Sequence, residues 1–188
     1  YYQATKMRNN ESNAMQCLYE SVNNFKKLDK LFFKEEENLK LHLVISFMHS
    51  LLVNILRCEN AGITREQIVE IVEPARLIYR KSAFIKRLQD WPRGYPGDFE
   101  TIEYLCNAEN LSPENTVEYY LEDYALKCSA IVQQHRNKIN HQAQIILETI
   151  LGNAIETRVL SIASGSNRDI YSIAHFIENK SVQFVLND

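Results

Sequence analysis

Near residue 153 the hydrophobic pattern changes its period, and that change limits what the chain can fold into. Before it, apolar residues recur three and four apart, the spacing of helices that bury one face. After it come two short β-type runs, RVLSIA at 158–163 and SVQFVLND at 181–188. Between them lie SGSN and an amphipathic segment through Ile170, Ile173, Ala174 and Ile177. Strand, turn, helix, strand is the opening of a Rossmann-like unit. The expected fold class is therefore α/β: a predominantly helical N-terminal region, 1–152, followed by the first β-α-β of a Rossmann-like domain, 153–188. Two parallel strands make a poor doubly wound sheet by themselves, so the chain is expected to be a fragment of a longer protein.

The helical part divides at turn and cap signals. Residues 1–12 are polar and expected to be loosely docked. Met15, Leu18, Val22, Phe25 and Leu28 define a helix over 13–33. LHLVISFMHSLLVNIL, 41–56, is the most apolar run. It is shorter than the ~20 residues a bilayer needs and carries His42, His49 and Asn54, which predicts a buried helix and no membrane span. Thr64 and Gln67 form a capping box for a helix over about 65–80. Helical turns follow at SAFIKRLQDW and FETIEYLCN, and Ser112-Pro113 reads as an N-cap with proline at the first helical position. From Glu118 to Leu151 the pattern is helical, in one or two pieces. Cys128, Val132, His135, Ile139, Ala143, Ile146 and Ile150 share one face.

Composition narrows the classes. A net charge of −3 without a Lys/Arg stripe gives no reason to expect nucleic acid. Four scattered cysteines with no CxxC pair suit reduced thiols and a cytoplasmic location better than a disulfide frame or a zinc site.

Several constellations could carry chemistry. VLSIASGSNRDI, 159–170, ends a strand in small residues and opens a helix, a geometry that lets a ligand approach backbone amides. Ser166 and Asp169 fit a capping box. Only Gly165 of a GxGxxG pattern is present; Ala163 and Asn167 stand where glycine is expected. An ordinary strand-to-helix turn explains the same residues. No GK[ST] follows and GxSxG does not match, so neither a P-loop nor a nucleophile elbow is present. Asp188, at the tip of the second run, stands where such folds hold ribose hydroxyls. His42 and His49 lie about 10 Å apart on a helix, too far to share a metal directly. His135 suits an interfacial histidine, yet it sits in QQHRNK, six polar residues in succession. That turn needs water, a polar neighbour or a ligand, and Arg136 suits a carboxylate.

The remaining stretch is WPRGYPGDFETIEYL, 91–105. Tyr95-Pro96-Gly97-Asp98 fits a type II turn, with Asp98 capping the next helix. Trp91, Arg93, Gly94 and Tyr95 are left over.

RGYPGDFETIEYL, then Arg136-Asn137 in a later helix, then VLSIASGSNRD and FVLND, in that order, resemble a family of bacterial class I S-adenosylmethionine-dependent methyltransferases. Its members are described as extracellular-factor, or 3-hydroxypalmitic acid methyl ester, biosynthesis proteins. The likeness covers roughly residues 80–188, and GYPGDFE is its specific part. Ser164 stands where the family usually has cysteine and Ser166 where it has proline, while Asp169 sits near the usual acid. The resemblance implies a truncated Rossmann-like methyltransferase domain under a helical lid. It implies S-adenosylmethionine as cofactor, held by Ala163, Ser164, Gly165, Ser166 and Asp188. Arg93, Tyr95, Asp98, His135 and Arg136 would lie near cofactor or acceptor, with a small molecule such as a hydroxy fatty acid carboxylate as acceptor. The fragment itself is then expected to be inactive. Two alternatives compete. One is a helical interaction module, homodimeric through its helical region and without activity. The other is a nucleotide- or NAD-binding protein, disfavoured by the poor glycine fingerprint.

Overall fold

The computed structural model describes the backbone of residues 2–153 and 156–187 and the side chains of residues 10–153 and 156–187. The chain is mostly helical, with one two-stranded parallel sheet. In order the elements are α1 (Tyr2–Lys26), α2 (Leu28–Phe32), α3 (Glu37–Asn60), α4 (Arg65–Tyr79), α5 (Ala83–Asp90), α6 (Phe99–Asn107), α7 (Val117–Asp123), a π-helical turn (Tyr124–Cys128), α8 (Ala130–Gly152), β1 (Thr157–Ile162), α9 (Arg168–Ile173), a 3-10 turn (Ala174–Phe176) and β2 (Val182–Asn187). They gather into two compact units, Tyr1–Gln89 with Asn110–Ala125, and Asp90–Glu109 with Leu126–Asp188. The units do not follow the change of period at 152/153: the GYPGDFE segment and α8 belong with the strands.

In the first unit, Leu18, Val22, Phe25, Leu28 and Phe32 are fully or almost fully buried against Val44, Met48 and Leu51 of α3. The first helix reaches back to Tyr2, further than the polar composition of residues 1–12 suggests. A polar seam sets the register of α1 on α3. Ser21 and Ser50 hydroxyls are 2.9 Å apart, and Asn54 Nδ2 donates to Ser21 Oγ at 2.7 Å. Satisfying these buried groups within the unit avoids the penalty of an unpaired amide. The third helix is 24 residues long and apolar enough, by length and composition alone, to cross a membrane. The helix expected from 41–56 to be buried is only partly so. It buries one face, while Leu52, Val53 and Leu56 are about half exposed on another.

The capping box of α4 forms in both directions: Gln67 N–H donates to Thr64 Oγ1, and Thr64 N–H to Gln67 Oε1. The cap expected at Ser112-Pro113 does not form. Helix α7 starts at Val117, capped by Thr116, whose Oγ1 accepts from Tyr119 N–H at 3.2 Å. Ser112 serves instead a buried carboxylate. Glu122, fully buried, accepts from the Ser112 hydroxyl at 2.7 Å, the Ser82 hydroxyl at 3.1 Å, and the backbone N–H groups of Ala83, Phe84 and Leu111. A side chain distant in sequence thus supplies the N-terminal cap of α5 and closes the 110–112 loop. Several N–H and O–H donors around one ion offset the desolvation that burial imposes.

Tyr120, edge-on to Phe32, donates its hydroxyl to Glu37, which also takes Lys40 at 2.6 Å. The hydrogen bond to Glu37, with burial second, pushes the Tyr120 phenol up to about 12 from its usual 10.0.

In the second unit β1 and β2 pair in parallel, with Val159 opposite Phe184 and Leu160 opposite Val185. Side chains alternate between the two faces of a strand. Val159, Val182 and Phe184 pack on a core of Ala143 and Ile150 from α8 and of Ile173 and Ile177. The other face leaves Leu160, Ile162 and Val185 exposed.

Two outcomes test this account. Glu122→Gln is expected to lower unfolding free energy by about 2–4 kcal/mol, because donors aimed at a carboxylate then face an amide; a loss below about 0.5 kcal/mol in denaturant titration would refute the capping role. For Tyr120 the folded value lies above the unfolded one. Its contribution to stability is therefore whole below about pH 10 and is lost as pH rises through about 12. Unfolding measured across that window should show an alkaline decline that Tyr120→Phe reduces; identical slopes for both proteins would contradict it.

Candidate active site

The site is built at the C-terminal end of β1. Here the chain must leave a strand and enter α9 within five residues, and it does so through left-handed backbone. Ala163, Gly165 and Asn167 have φ of 53°, 51° and 51°. Two of these are the places where glycine was expected from the pattern. Asparagine tolerates this region; alanine does so only at a cost of about 1 kcal/mol. The turn is anchored by Ser164, whose N–H donates to Asn187 O on β2 at 3.1 Å, and closed by Asn167 N–H on Ser164 O at 2.9 Å. The capping box expected from Ser166 and Asp169 is absent. Asn167 is the N-cap residue, makes no side-chain cap, and Asp169 Oδ1 accepts from its neighbour Ile170.

Gly165 also lies beside a second stretch of chain. A Cβ there would lie 3.4 Å from Phe99 Cβ, so the turn comes against the start of α6. Phe99 is placed by the motif before it. Gly97 has φ 73°, as the third position of a type II turn requires. Buried Asp98 accepts from Glu100 N–H at 3.1 Å, Thr101 N–H at 3.3 Å and the Thr101 hydroxyl at 2.9 Å. Gly94, at φ 85°, closes its own turn on Trp91 O at 2.7 Å. Arg93 stacks over the Phe99 ring at 4.5 Å and pairs with Glu100 at 2.9 Å.

Between the turn and α8 lies an open cleft of about 520 Å³. It is lined by Ser161–Asp169, by Tyr95, Gly97, Phe99 and Ile102, and by His135, Lys138, Ile139 and Gln142 of α8. This volume falls in the range of small-molecule sites, roughly 300–1,000 Å³. Of the residues singled out from sequence, Ala163, Ser164, Gly165, Ser166, Tyr95 and His135 meet on this cleft. Arg93 and Asp98 do not line it; they hold the motif in shape. Nor does Arg136, which donates to Leu105 O at 3.1 Å and to Leu126 O, clamping α6 and the chain before α8. Its guanidinium is thus engaged with carbonyls, which answers the question raised by a polar turn in an amphipathic helix. Asp188 lies outside the described residues.

Sequence reasoning missed Lys138 and Gln142. Their signal was available: 135, 138, 139 and 142 recur at helical spacing, so the polar side of the expected core face turns toward the cleft. Arg168, also missed, pairs with Glu103 at 3.3 Å. Cys106 is half-buried and its thiol is pushed up by burial, which argues against a nucleophile. No group of residues suited to a metal occurs among the described residues. Comparisons with protein-family models, with curated proteins and with solved structures find no match.

The turn makes a direct prediction. Ala163→Gly, at φ 53°, is expected to raise stability by about 0.5–1 kcal/mol, through relief of left-handed strain. A decrease in thermal or denaturant stability would show that the turn does not adopt this backbone.

Proposed function

We propose that the second unit begins the Rossmann-like cofactor domain of a small-molecule methyltransferase, and that its cleft takes S-adenosylmethionine beside the methyl acceptor. The observation that carries this reading is the meeting of two separate stretches at one cleft. The strand-end turn brings exposed backbone at Ala163–Ser166, and the GYPGDFE segment brings Tyr95, Gly97 and Phe99 to the same space. The residues present suit such a ligand. Left-handed backbone and the glycine at 165 allow close approach, the volume accommodates a nucleoside with an amino-acid tail, and Asn167 Oδ1 is buried without a donor.

The cofactor supplies an electrophilic methyl group. The chain's own part is to bind, orient and keep water out. A hydroxy fatty acid carboxylate has no proton to lose on methylation, so alignment and exclusion of water matter more than acid–base groups. Tyr95, Phe99, Ile102 and Ile139 provide the apolar and aromatic lining for that task. Asp188 keeps its proposed role at the ribose on sequence grounds.

A second reading has its own observation. Leu52, Val53 and Leu56 stay about half exposed on α3, and such a surface suits pairing with another copy. Light scattering showing only monomer at high concentration would remove it, without touching the first.

Calorimetry on the full-length protein tests the main reading. S-adenosylmethionine is expected to bind, and Asp188→Ala to weaken it about tenfold through loss of a charge-assisted hydrogen bond. Failure of the wild-type protein to bind would sink the proposal.

A further inference from the structure

The α8 wall of the cleft carries an unmatched charge. The side chain of Lys138 makes no hydrogen bond or ion pair among the described residues, and neither do the side chains of Tyr95, His135 or Gln142 beside it. Other charges on the cleft are accounted for differently. Arg168 is paired with Glu103 at 3.3 Å and lies over the Tyr171 ring. Asp169 uses one carboxylate oxygen on Ile170 N–H at 2.9 Å, and its other oxygen makes no bond among the described residues. The cleft thus offers one ammonium and one carboxylate oxygen to an occupant, a pattern complementary to the zwitterionic end of an amino acid.

We infer that Lys138 is the anchor for the α-carboxylate of an amino-acid-bearing ligand in this cleft. Resting on the methyltransferase reading, that carboxylate belongs to the methionine end of S-adenosylmethionine rather than to the acceptor. His135 and Gln142 stand one turn to either side of Lys138 on α8 and add hydrogen-bonding capacity around the same group. The arrangement gives the lysine a partner on a helix wall whose neighbour Ile139 is apolar. A flexible ammonium there reaches the carboxylate with its stem along the cleft side.

Two probes separate this inference from the reading beneath it. S-adenosylhomocysteine carries the amino-acid end; 5′-methylthioadenosine keeps the nucleoside and lacks that end. Binding of each to the full-length protein is measured by calorimetry, for wild type, Lys138→Met and Lys138→Arg, with circular dichroism as a check of fold. Lys138→Met is expected to weaken S-adenosylhomocysteine about fivefold to tenfold, an exposed charge-assisted contact being worth about that much. Affinity for 5′-methylthioadenosine should change less than about twofold on the same basis, and Lys138→Arg should recover most of the loss. Equal weakening of both probes, or no weakening of either, overturns the role of Lys138 and leaves the cofactor site standing. Absence of binding by the wild-type protein to both probes overturns the cofactor site and the inference with it.

Discussion

The second unit depends on a backbone constraint: a strand must end and a helix must begin within five residues, against a neighbouring aromatic. Three left-handed residues achieve it, at 163, 165 and 167. Hydrogen bonds from Ser164 to the end of β2 hold the turn to the sheet. Phe99 lies against position 165, whose left-handed φ favours glycine.

The GYPGDFE segment can be understood from the same constraint. Asp98 fixes the first turn of α6 through three hydrogen bonds, and Gly97 supplies the reversal before it. Those two residues aim Phe99 at Gly165. Arg93 covers the outer side of the Phe99 ring. Most of the motif is therefore architecture. Tyr95 is the member whose side chain lies on the cleft with no hydrogen-bond partner among the described residues. The first unit is held differently, by an apolar α1–α3 core and by a fully buried Glu122 that caps a helix far from it in sequence.

Elements governed by local rules were legible in the sequence. The capping box at Thr64, the helix at FETIEYLCN, the two short β-type runs and the reversal at Gly97 all follow from neighbours a few residues away. What was not legible depends on contacts across the chain. Glu122 reads as one more acidic residue in VEYYLEDY until Ser82, Ala83 and Ser112 come to it. Ser112-Pro113 resembled a helix start because the buried carboxylate that uses Ser112 was invisible. Arg136 looked like a ligand-binding cation because the carbonyls it serves lie 31 and 10 residues away. Lys138 was passed over for the opposite reason: an exposed lysine is unremarkable until the turn at 163–167 is set opposite it. The long apolar run of α3 shows a further limit, since composition does not say that only one face is buried.

The central claim is that one cleft of the second unit, bounded by the strand-end turn, the GYPGDFE segment and α8, is the ligand site. Amide chemical shifts of the full-length protein, followed by NMR during titration with S-adenosylhomocysteine, test it most directly. The account predicts saturable shifts concentrated at residues 94–99, 135–142 and 161–169. Shifts confined to other residues, or none at saturating ligand, would contradict it.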